Sequence, residues 1–319
     1  MRKRPVQTER SALDREIAAA LRPPHPFLEP FSRRVPADGG KRRRGELILR
    51  LGRLFGVPRK RVTAAAAAVE IIHLATLVHD DVVDGAELRR NRPTLNRLQG
   101  TAPALLYGDL LFSRGIAVVN RLRSAELTDL LLATVSEICA GEILETRERG
   151  TFAWEEEIYL EIIQLKTASL FEYCSRAPAI LAGFSPPRLR VLKRFGRNLG
   201  LAFQIFDDCL DFSPGPARPG KNPLADLRNG VPNLPLLYAA RDPGIAKELN
   251  GSDRSPARLK RIADLIRTGG YVEAARRRGE GFEKKARRAA AEIRGWPLAG
   301  PVSLLDDYLR VPEPGRGRD

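Results

Sequence analysis

The sequence predicts an all-α protein, a single-domain bundle of long helices around a deep central cavity. Apolar residues recur with helical periodicity along the whole 319-residue chain. No alternating run of β-branched residues and no hairpin signal interrupts that pattern. Several predicted helices span roughly twenty residues or more, and helices so long and apolar need partners along their whole length, as in a bundle.

Groups of proline, glycine and charged residues separate the predicted helices, because they break helical periodicity. These breakers lie at residues 23–26, 34–40, 89–93, 185–187 and 213–220. The periodic segments between and beyond them predict the helices, with ends placed to within several residues. In chain order the predicted helices are 11–21, 45–55, 59–84, 103–122, 125–148, 155–182, 187–211, 233–240, 255–268, 270–293 and 302–309.

The composition is that of an ordinary globular protein, with 43% hydrophobic residues. We expect one domain over residues 1–319, with a core at 39–310 and flexible ends at 1–10 and 311–319. Three cysteines without CxxC spacing predict neither a disulfide framework nor a zinc site. No uninterrupted apolar run approaches the roughly 18 residues of a membrane span, and no signal-type core follows the basic start. A cytoplasmic location is therefore expected.

The net charge of +15 is concentrated near the two ends of the chain. Residues 1–61 hold 17 Lys and Arg against 6 Asp and Glu, and residues 254–294 hold 13 against 5. Such charge steers anionic substrates or contacts an anionic membrane surface, unless the arginine excess only reflects codon bias. The basic segments lack interleaved aromatic residues and nucleic-acid motifs, so RNA binding is a distant alternative and no nucleic-acid partner is expected.

Two acidic clusters of one pattern each follow a long apolar segment. Asp80, Asp81 and Asp84 form the first acidic cluster, and Asp207, Asp208 and Asp211 form the second. In a helix the first and last aspartate of each cluster share a face, with the second about 100° round the axis. Like charges at this spacing repel, and clusters that faced each other would repel more strongly unless cations lay between them. Oxygen-only ligands favour Mg²⁺ shared with phosphates.

Further motifs appear around these clusters in a fixed order. They are Gly39-Gly40-Lys41-Arg42-Arg43-Arg44, Glu70-Ile71-Ile72-His73, residues 88–94, Gly108-Asp109, Gly141-Glu142, Lys166-Thr167, residues 200–211, and Gly220-Lys221 with Asp226-Leu227. With these motifs, from about Gly39 to Leu309, the chain resembles trans-isoprenyl diphosphate synthases of the polyprenyl synthetase family. Medium-chain or long-chain all-trans polyprenyl and geranylgeranyl diphosphate synthases are the nearest types.

The resemblance implies the isoprenoid synthase fold and a prenyltransferase reaction. Isopentenyl diphosphate condenses with an allylic diphosphate to give an all-trans polyprenyl diphosphate. Loss of pyrophosphate leaves an allylic cation, which the isopentenyl double bond attacks, and loss of a proton to the departing pyrophosphate then forms the new trans double bond. The implied cofactor is Mg²⁺, with three ions per site, and the implied assembly is a homodimer.

The same resemblance assigns roles to individual residues. The catalytic set is Asp80, Asp81, Asp84, Lys166, Asp207, Asp208 and Asp211, of which Asp80, Asp84 and Asp207 bind metal. The diphosphate of isopentenyl diphosphate is held by Lys41, Arg44, His73 and Arg90. The allylic diphosphate is held by Arg89, Lys166, Thr167, Gln204 and Lys221. Taken singly, a basic turn is usually solvated and a lone histidine in a core helix is usually structural.

The residues before the first acidic cluster set the expected product length. Ala75 and Thr76 lie about one turn before Asp80, and Ile71 and Ile72 lie one turn deeper. Small side chains at 75 and 76 leave room for an elongating tail, where family members that stop at fifteen carbons often carry aromatic residues. We therefore expect a product of at least twenty carbons.

The chain departs from the family pattern at three positions. Gly45 stands where the family usually has proline, and Glu145 stands where glutamine is frequent. Val231 replaces a lysine that helps to hold the allylic diphosphate, and basic character elsewhere, such as Arg228, is expected to compensate or turnover to fall.

Two alternatives differ in their expected motifs. A class I terpene cyclase shares the fold but normally lacks the second acidic cluster and the isopentenyl pocket. A catalytically weak partner subunit of a heteromeric synthase typically loses one cluster, whereas both are complete here, and only Val231 favours this alternative.

Overall fold

The computed structural model describes residues 5–38, 40, 42–150, 155–212, 224–231, 233–251, 253 and 255–300. Over these residues the protein is helical apart from one two-stranded hairpin, which confirms the predicted all-α fold class. The predicted helix 302–309 and the predicted flexible tail 311–319 lie outside the described residues.

The helices and strands follow one another as short and long segments. In chain order they are α1 (Pro5–Ala20), a single 3₁₀ turn (Pro26–Leu28), α2 (Glu29–Asp38), α3 (Arg43–Leu54), α4 (Arg59–Val83), β1 (Leu88–Arg89), β2 (Arg92–Pro93), α5 (Leu95–Gln99), α6 (Thr101–Asn120), α7 (Ala125–Glu148), α8 (Glu156–Ile163), a π turn (Gln164–Ala168), α9 (Ser169–Leu181), α10 (Pro186–Leu210), α11 (Ala225–Asn229), α12 (Leu234–Ala239), α13 (Pro243–Leu249), α14 (Pro256–Thr268) and α15 (Tyr271–Arg294).

The chain divides into two compact units. The first unit comprises Met1–Val135, Tyr173–Lys193 and Glu292–Leu309, and the second comprises Ser136–Glu172, Arg194–Ala291 and Arg310–Asp319. The single domain expected from the sequence stays a prediction.

The core of the first unit is built around α4, which packs on α1, α3 and α6. Small residues allow these helices to approach closely. Ala65 to Ala68 of α4 are fully buried. A Cβ added at Gly52 of α3 would clash with Val62, and one added at Gly115 of α6 would lie 2.7 Å from Cδ1 of Ile72. The alanine run therefore makes α4 the central helix of this unit.

Among the described residues, α4 and α6 are long and apolar enough to cross a membrane by length and composition alone. The mean hydropathy of a window tolerates single polar residues, whereas the criterion applied to the sequence required an uninterrupted apolar run. The apolar window of α4 is 72% buried inside the protein and that of α6 is 39% buried. Because a buried core helix has the same composition, these properties do not assign either helix to a membrane.

The described residues of the second unit include two hydrophobic clusters. One joins Tyr159 of α8 to Ile205 of α10, Leu237 of α12 and Phe282 of α15. The other packs α12, α13 and α14 together around buried residues such as Ile262. The first of these clusters lies directly beneath the second acidic cluster and fixes the end of α10, since Ile205 and Cys209 are both part of it.

The predicted helix ends are close for the long helices and wrong where local geometry is unusual. Helix α7 matches its predicted range, α4 ends one residue early, and α10 begins and ends one residue before its predicted range. The continuous helix predicted over 155–182 is wrong, because a π turn at 164–168 interrupts it. Helices α2, α5, α11 and α13 were not predicted, and α2 runs into the breaker predicted from residue 34.

The prediction of no hairpin is also wrong, since β1 and β2 pair antiparallel. Arg90 and Asn91 form the two-residue turn between them, with φ of 51° and 59°. Left-handed φ at both central positions is the geometry of a type I′ turn. Arginine rarely adopts that conformation, so the sequence carries little signal for the turn.

Candidate functional site

The first acidic cluster lies at the carboxyl end of α4, with Asp84 as the capping residue. Asp80 is partly exposed and Asp84 is exposed, one helical turn apart. The carboxyl end of a helix carries partial negative charge, which disfavours further carboxylates there. Cations bound at these two side chains would therefore stabilise the helix end.

Asp81, the second member of this cluster, is buried and paired with Arg89 of β1. The arginine Nε lies 2.9 Å from each carboxylate oxygen of Asp81, and Nη2 lies 2.8 Å from Oδ1. This two-point pairing joins the end of α4 to the hairpin. Asp81 therefore acts as a partner of Arg89, whereas Asp80 and Asp84 remain accessible.

Arg44 and His73, predicted to share an anion pocket, are in direct contact in the first unit. Nη1 of Arg44 lies 3.0 Å from Nε2 of His73. Arginine can only donate, so Nε2 accepts and the neutral ring carries its proton on Nδ1. Burial, and then the charges of Arg44, Arg89, Arg42 and Arg90, hold the pKa of His73 well below its usual range. His73 is therefore neutral at physiological pH.

We expect the free energy of unfolding to fall as pH drops below about 6.5, the ordinary pKa of histidine. Below that pH His73 takes up a proton in the unfolded chain but not in the folded one, whose pKa is lower. His73→Gln should flatten this slope by up to about 1.4 kcal/mol per pH unit. Urea unfolding between pH 5 and 7.5 measures this slope. An unchanged slope in His73→Gln would contradict the lowered pKa of His73 in the folded protein. His25→Gln, at an exposed residue, is the control.

Arg90 packs against the first basic motif. A Cβ added at Gly40, whose φ is 57°, would clash with the guanidinium of Arg90. The type I′ turn therefore directs Arg90 towards the segment that precedes α3. Lys41, the predicted lysine of this pocket, lies outside the described residues.

Buried Glu70 holds the beginning of α3 in place, a role that the sequence analysis missed. Oε1 of Glu70 accepts a hydrogen bond of 2.7 Å from the backbone N–H of Gly45. Arg42 lies 3.6 Å from Oε2 of Glu70 and also pairs with Asp14 of α1. Burial raises the pKa of Glu70, against the lowering effects of the Gly45 hydrogen bond and of Arg42. The proline usual at position 45 could not donate this bond.

The signal for Glu70 was present in the sequence. A carboxylate within an apolar helix, three residues before His73, is rarely buried without partners. Arg44, Gly45 and His73 are thus linked through one face of α4.

The second acidic cluster lies at the end of α10 and repeats the arrangement of the first. Asp207 and Asp211 are partly exposed, whereas Asp208 is buried. The hydroxyl of Tyr159 donates to Asp208 at 2.6 Å, and Nε2 of Gln204 donates to its other oxygen at 2.8 Å. Burial, and then the charge of Asp226, raise the pKa of Asp208 well above its usual range. In each cluster the second aspartate is anchored and the outer two are accessible.

Thr167 extends this buried network by donating to Oε1 of Gln204 at 2.9 Å. Both polar atoms of the Gln204 amide are therefore engaged, one by Thr167 and one by Asp208. Tyr159 was missed by the sequence analysis, because nothing in its surroundings in the sequence marks it as a partner of Asp208.

Lys166 and Thr167 lie in the π turn between α8 and α9. Two glycines allow neighbouring helices to approach this turn. A Cβ at Gly141 of α7 would lie 2.7 Å from the backbone nitrogen of Lys166. A Cβ at Gly200 of α10 would lie 2.5 Å from Cα of Ala168. Single π turns occur frequently at functional sites.

The ammonium group of Lys166 lies between two carboxylates of α7. It is 2.5 Å from Glu142 and 2.8 Å from Glu145. Burial raises the pKa of Glu145, against the lowering effect of Lys166. Lys221, the other predicted lysine for the allylic diphosphate, lies outside the described residues.

The residues expected to set product length lie on two faces of α4. Ile71, Ile72 and Ala75 are fully buried, and Ile72 faces Gly115 of α6. Thr76 is partly exposed, and its hydroxyl donates to the backbone oxygen of His73 at 2.9 Å.

Mg²⁺ fits the accessible carboxylates of both clusters. Within the described residues, no group of three or more His, Cys, Asp or Glu is arranged to hold a metal ion. Mg²⁺ usually takes one or two carboxylates and completes its shell with substrate phosphates and water. Asp80 with Asp84, and Asp207 with Asp211, are oxygen-only pairs of that kind.

Comparisons with known proteins agree with this arrangement. A family model described as polyprenyl synthetase matches residues 25–266. Octaprenyl diphosphate synthase of Escherichia coli (strain K12) is 38% identical over 205 residues, which cover 64% of each chain and so just under two thirds of that relative. Component 2 of heptaprenyl diphosphate synthase from Geobacillus stearothermophilus is 31% identical over 93% of this chain and 92% of its own.

A solved structure extends the similarity to the fold. The polyprenyl synthase from Caulobacter crescentus CB15, complexed with calcium and isoprenyl diphosphate, matches with a TM-score of 0.88. It is 31% identical and covers 95% of this chain and 94% of its own. From the family model and these relatives, the chain belongs to the polyprenyl synthetase family.

Proposed function

We propose that the protein is a Mg²⁺-dependent trans-prenyltransferase. It condenses isopentenyl diphosphate with an allylic diphosphate and forms an all-trans polyprenyl diphosphate of at least twenty carbons. The observation that carries this proposal is the repeated design of the acidic clusters, in which one aspartate is anchored and two are accessible. The relatives of this family named above are octaprenyl and heptaprenyl diphosphate synthases.

The residues divide between two diphosphate groups in this proposal. Lys41, Arg44, His73 and Arg90 bind isopentenyl diphosphate; neutral His73 donates through Nδ1 or orients Arg44 through Nε2. Arg89, Lys166, Thr167, Gln204 and Lys221 bind the allylic diphosphate. Asp80, Asp84 and Asp207 would hold Mg²⁺, at three ions per site, with Asp81, Asp208 and Asp211 nearby. The bound ions would neutralise the charge of the leaving pyrophosphate.

The test is incubation with isopentenyl diphosphate and a series of allylic primers of increasing length. Pyrophosphate release and product size are measured with Mg²⁺ and again with excess chelator. We expect release only with Mg²⁺ and only when both substrates are present. No release with any primer would overturn the proposal, and release from the allylic substrate alone would indicate a terpene cyclase.

We expect Ala75→Phe to shorten the product, because a ring one turn before Asp80 closes space that a growing tail would fill. Ala75 is fully buried, so overpacking should also lower stability by about 1–3 kcal/mol. Chromatography of the extended products gives the length, and thermal unfolding gives the stability. Thr76→Phe adds the same ring at a partly exposed position, so it separates shortening of the product from the loss of stability by overpacking. A wild-type product of fifteen carbons, or no shortening in Ala75→Phe, would contradict the assignment.

A partner subunit of a heteromeric synthase is the second candidate. Val231 in place of lysine and the similarity to a protein named as component 2 favour it. The chain alone would then release no pyrophosphate but would do so with a second component.

We also propose a homodimer, peripheral contact of the basic ends with an anionic membrane, and a cytoplasmic location. Sedimentation velocity tests the first, and binding to phosphatidylglycerol vesicles at rising salt tests the second.

A further inference from the structure

The lysine that the family usually has at position 231 is absent, and the backbone next to this position crosses a segment that carries an arginine. Val231 is partly exposed and directly follows Gly230. The backbone N–H of Gly150 donates to the oxygen of Gly230 at 2.9 Å. A Cβ added at Gly230 would lie 3.3 Å from Cα of Gly150, so the two segments cross at their glycines. Arg149 directly precedes Gly150, and this crossing therefore places it beside Val231.

Arg149 is also joined to Lys166, the predicted ligand of the allylic diphosphate. Nη2 of Arg149 lies 3.8 Å from Oε1 of Glu145, and Nζ of Lys166 lies 2.8 Å from the same oxygen. Both cations thus contact one carboxylate oxygen. The glutamine frequent at position 145 carries no charge and could not pair with them in this way. The side chain of Arg149 remains 22% exposed and so can meet a ligand.

The departures at 145 and 231 change the charge near Lys166 in the same direction. Valine for lysine removes a positive charge, and glutamate for glutamine adds a negative one. Both changes weaken the attraction for a diphosphate near Lys166. Arg149 offsets one of them, and its planar guanidinium can donate two parallel hydrogen bonds to phosphate oxygens.

We propose that Arg149 replaces the missing lysine of position 231 and binds the allylic diphosphate together with Lys166. Glu145 pairs with both Arg149 and Lys166 and keeps them next to each other when the substrate is absent. This inference rests on the proposed prenyltransferase function and adds a specificity residue to it.

The test is a double-mutant cycle between positions 149 and 231. Arg149→Met should raise KM for the allylic diphosphate about tenfold, the loss expected for hydrogen bonds to a charged group. KM for isopentenyl diphosphate should stay unchanged. Adding Val231→Lys to Arg149→Met should restore the allylic KM, whereas Val231→Lys alone should change it less than about twofold, because the cation is already supplied.

Arg147 serves as the control for nonspecific loss of positive charge, since it is 65% exposed and pairs with its neighbour Glu148. Arg147→Met should leave both KM values unchanged. Arg228, which is exposed on α11, is the competing candidate for the compensating cation. If Arg228→Met raises the allylic KM and Arg149→Met does not, Arg228 is the compensating cation and the proposal is wrong. The proposal would also be overturned if Val231→Lys changed the allylic KM by the same factor in the wild type and in Arg149→Met.

A binding measurement separates this proposal from the proposed function. Calorimetric titration with geranyl diphosphate and Mg²⁺, without isopentenyl diphosphate, needs no turnover. Weaker binding in Arg149→Met that Val231→Lys restores would support the role of Arg149 even in a chain that makes no product. Unchanged binding in Arg149→Met would overturn it even in an active enzyme. Arg149→Lys keeps the charge but loses the two-point donation, so it should bind more weakly than wild type and more tightly than Arg149→Met, an order that a folding defect would not produce.

Discussion

Asp80→Asn is expected to lower prenyltransferase turnover at least about a hundredfold, the scale on which charge stabilisation at a leaving group is lost. The free energy of unfolding should change less than on loss of the buried Asp81, because Asp80 is partly exposed and its change relieves repulsion from Asp84 one turn away. The carboxyl end of α4 also disfavours negative charge. A large loss of activity with a small change in stability is the signature of a side chain retained for a ligand.

Asp81→Asn is the matched control, since it changes the neighbouring carboxylate in the same way. Asp81 is buried against Arg89, so its loss should cost about 2 kcal/mol of stability. Turnover and the Mg²⁺ concentration for half-maximal activity should change less than in Asp80→Asn. Urea unfolding and a Mg²⁺ titration of both variants make the comparison. Equal stability losses in the two variants would contradict the division of roles within the cluster.

The sequence was sufficient to predict the helices that carry the site. Periodicity placed α4, α7 and α10 within a residue or so, because long apolar faces leave few alternative registers. The i and i+4 spacing also predicted that the second aspartate of each cluster lies about 100° round the helix axis from the first. In the structure this second aspartate is buried, and it pairs with Arg89 in the first cluster and with Tyr159 in the second.

The partners of these residues could not be predicted, because they depend on contacts between distant segments. Tyr159 is 49 residues from Asp208. The hairpin turn at Arg90 and Asn91 requires left-handed backbone that only the surrounding contacts can stabilise. The roles predicted for individual substrate-binding residues stay predictions, and Lys41 and Lys221 lie outside the described residues.

We expect Gly200→Ala to destabilise the protein by about 2 kcal/mol and to raise KM for the allylic diphosphate. The added Cβ would lie 2.5 Å from Cα of Ala168, which is backbone and cannot move away cheaply. The π turn would have to shift, and with it the hydrogen bond from Thr167 to Gln204. Gly141→Ala should act similarly through the backbone nitrogen of Lys166, 2.7 Å from the new Cβ.

Gly281→Ala is the matched control, because it makes the same change at an exposed position of α15, where an added Cβ meets nothing within 4 Å. It should stabilise the protein by about 0.5–1 kcal/mol, since glycine within a helix loses more conformational entropy than alanine. Urea unfolding and substrate kinetics of the three variants test the expected directions of change in stability and in KM for the allylic diphosphate. A π turn persists only where its surroundings favour it over a regular helix. If Gly200→Ala and Gly141→Ala were as harmless as Gly281→Ala, the two glycines would not be what holds Lys166 and Thr167 in position.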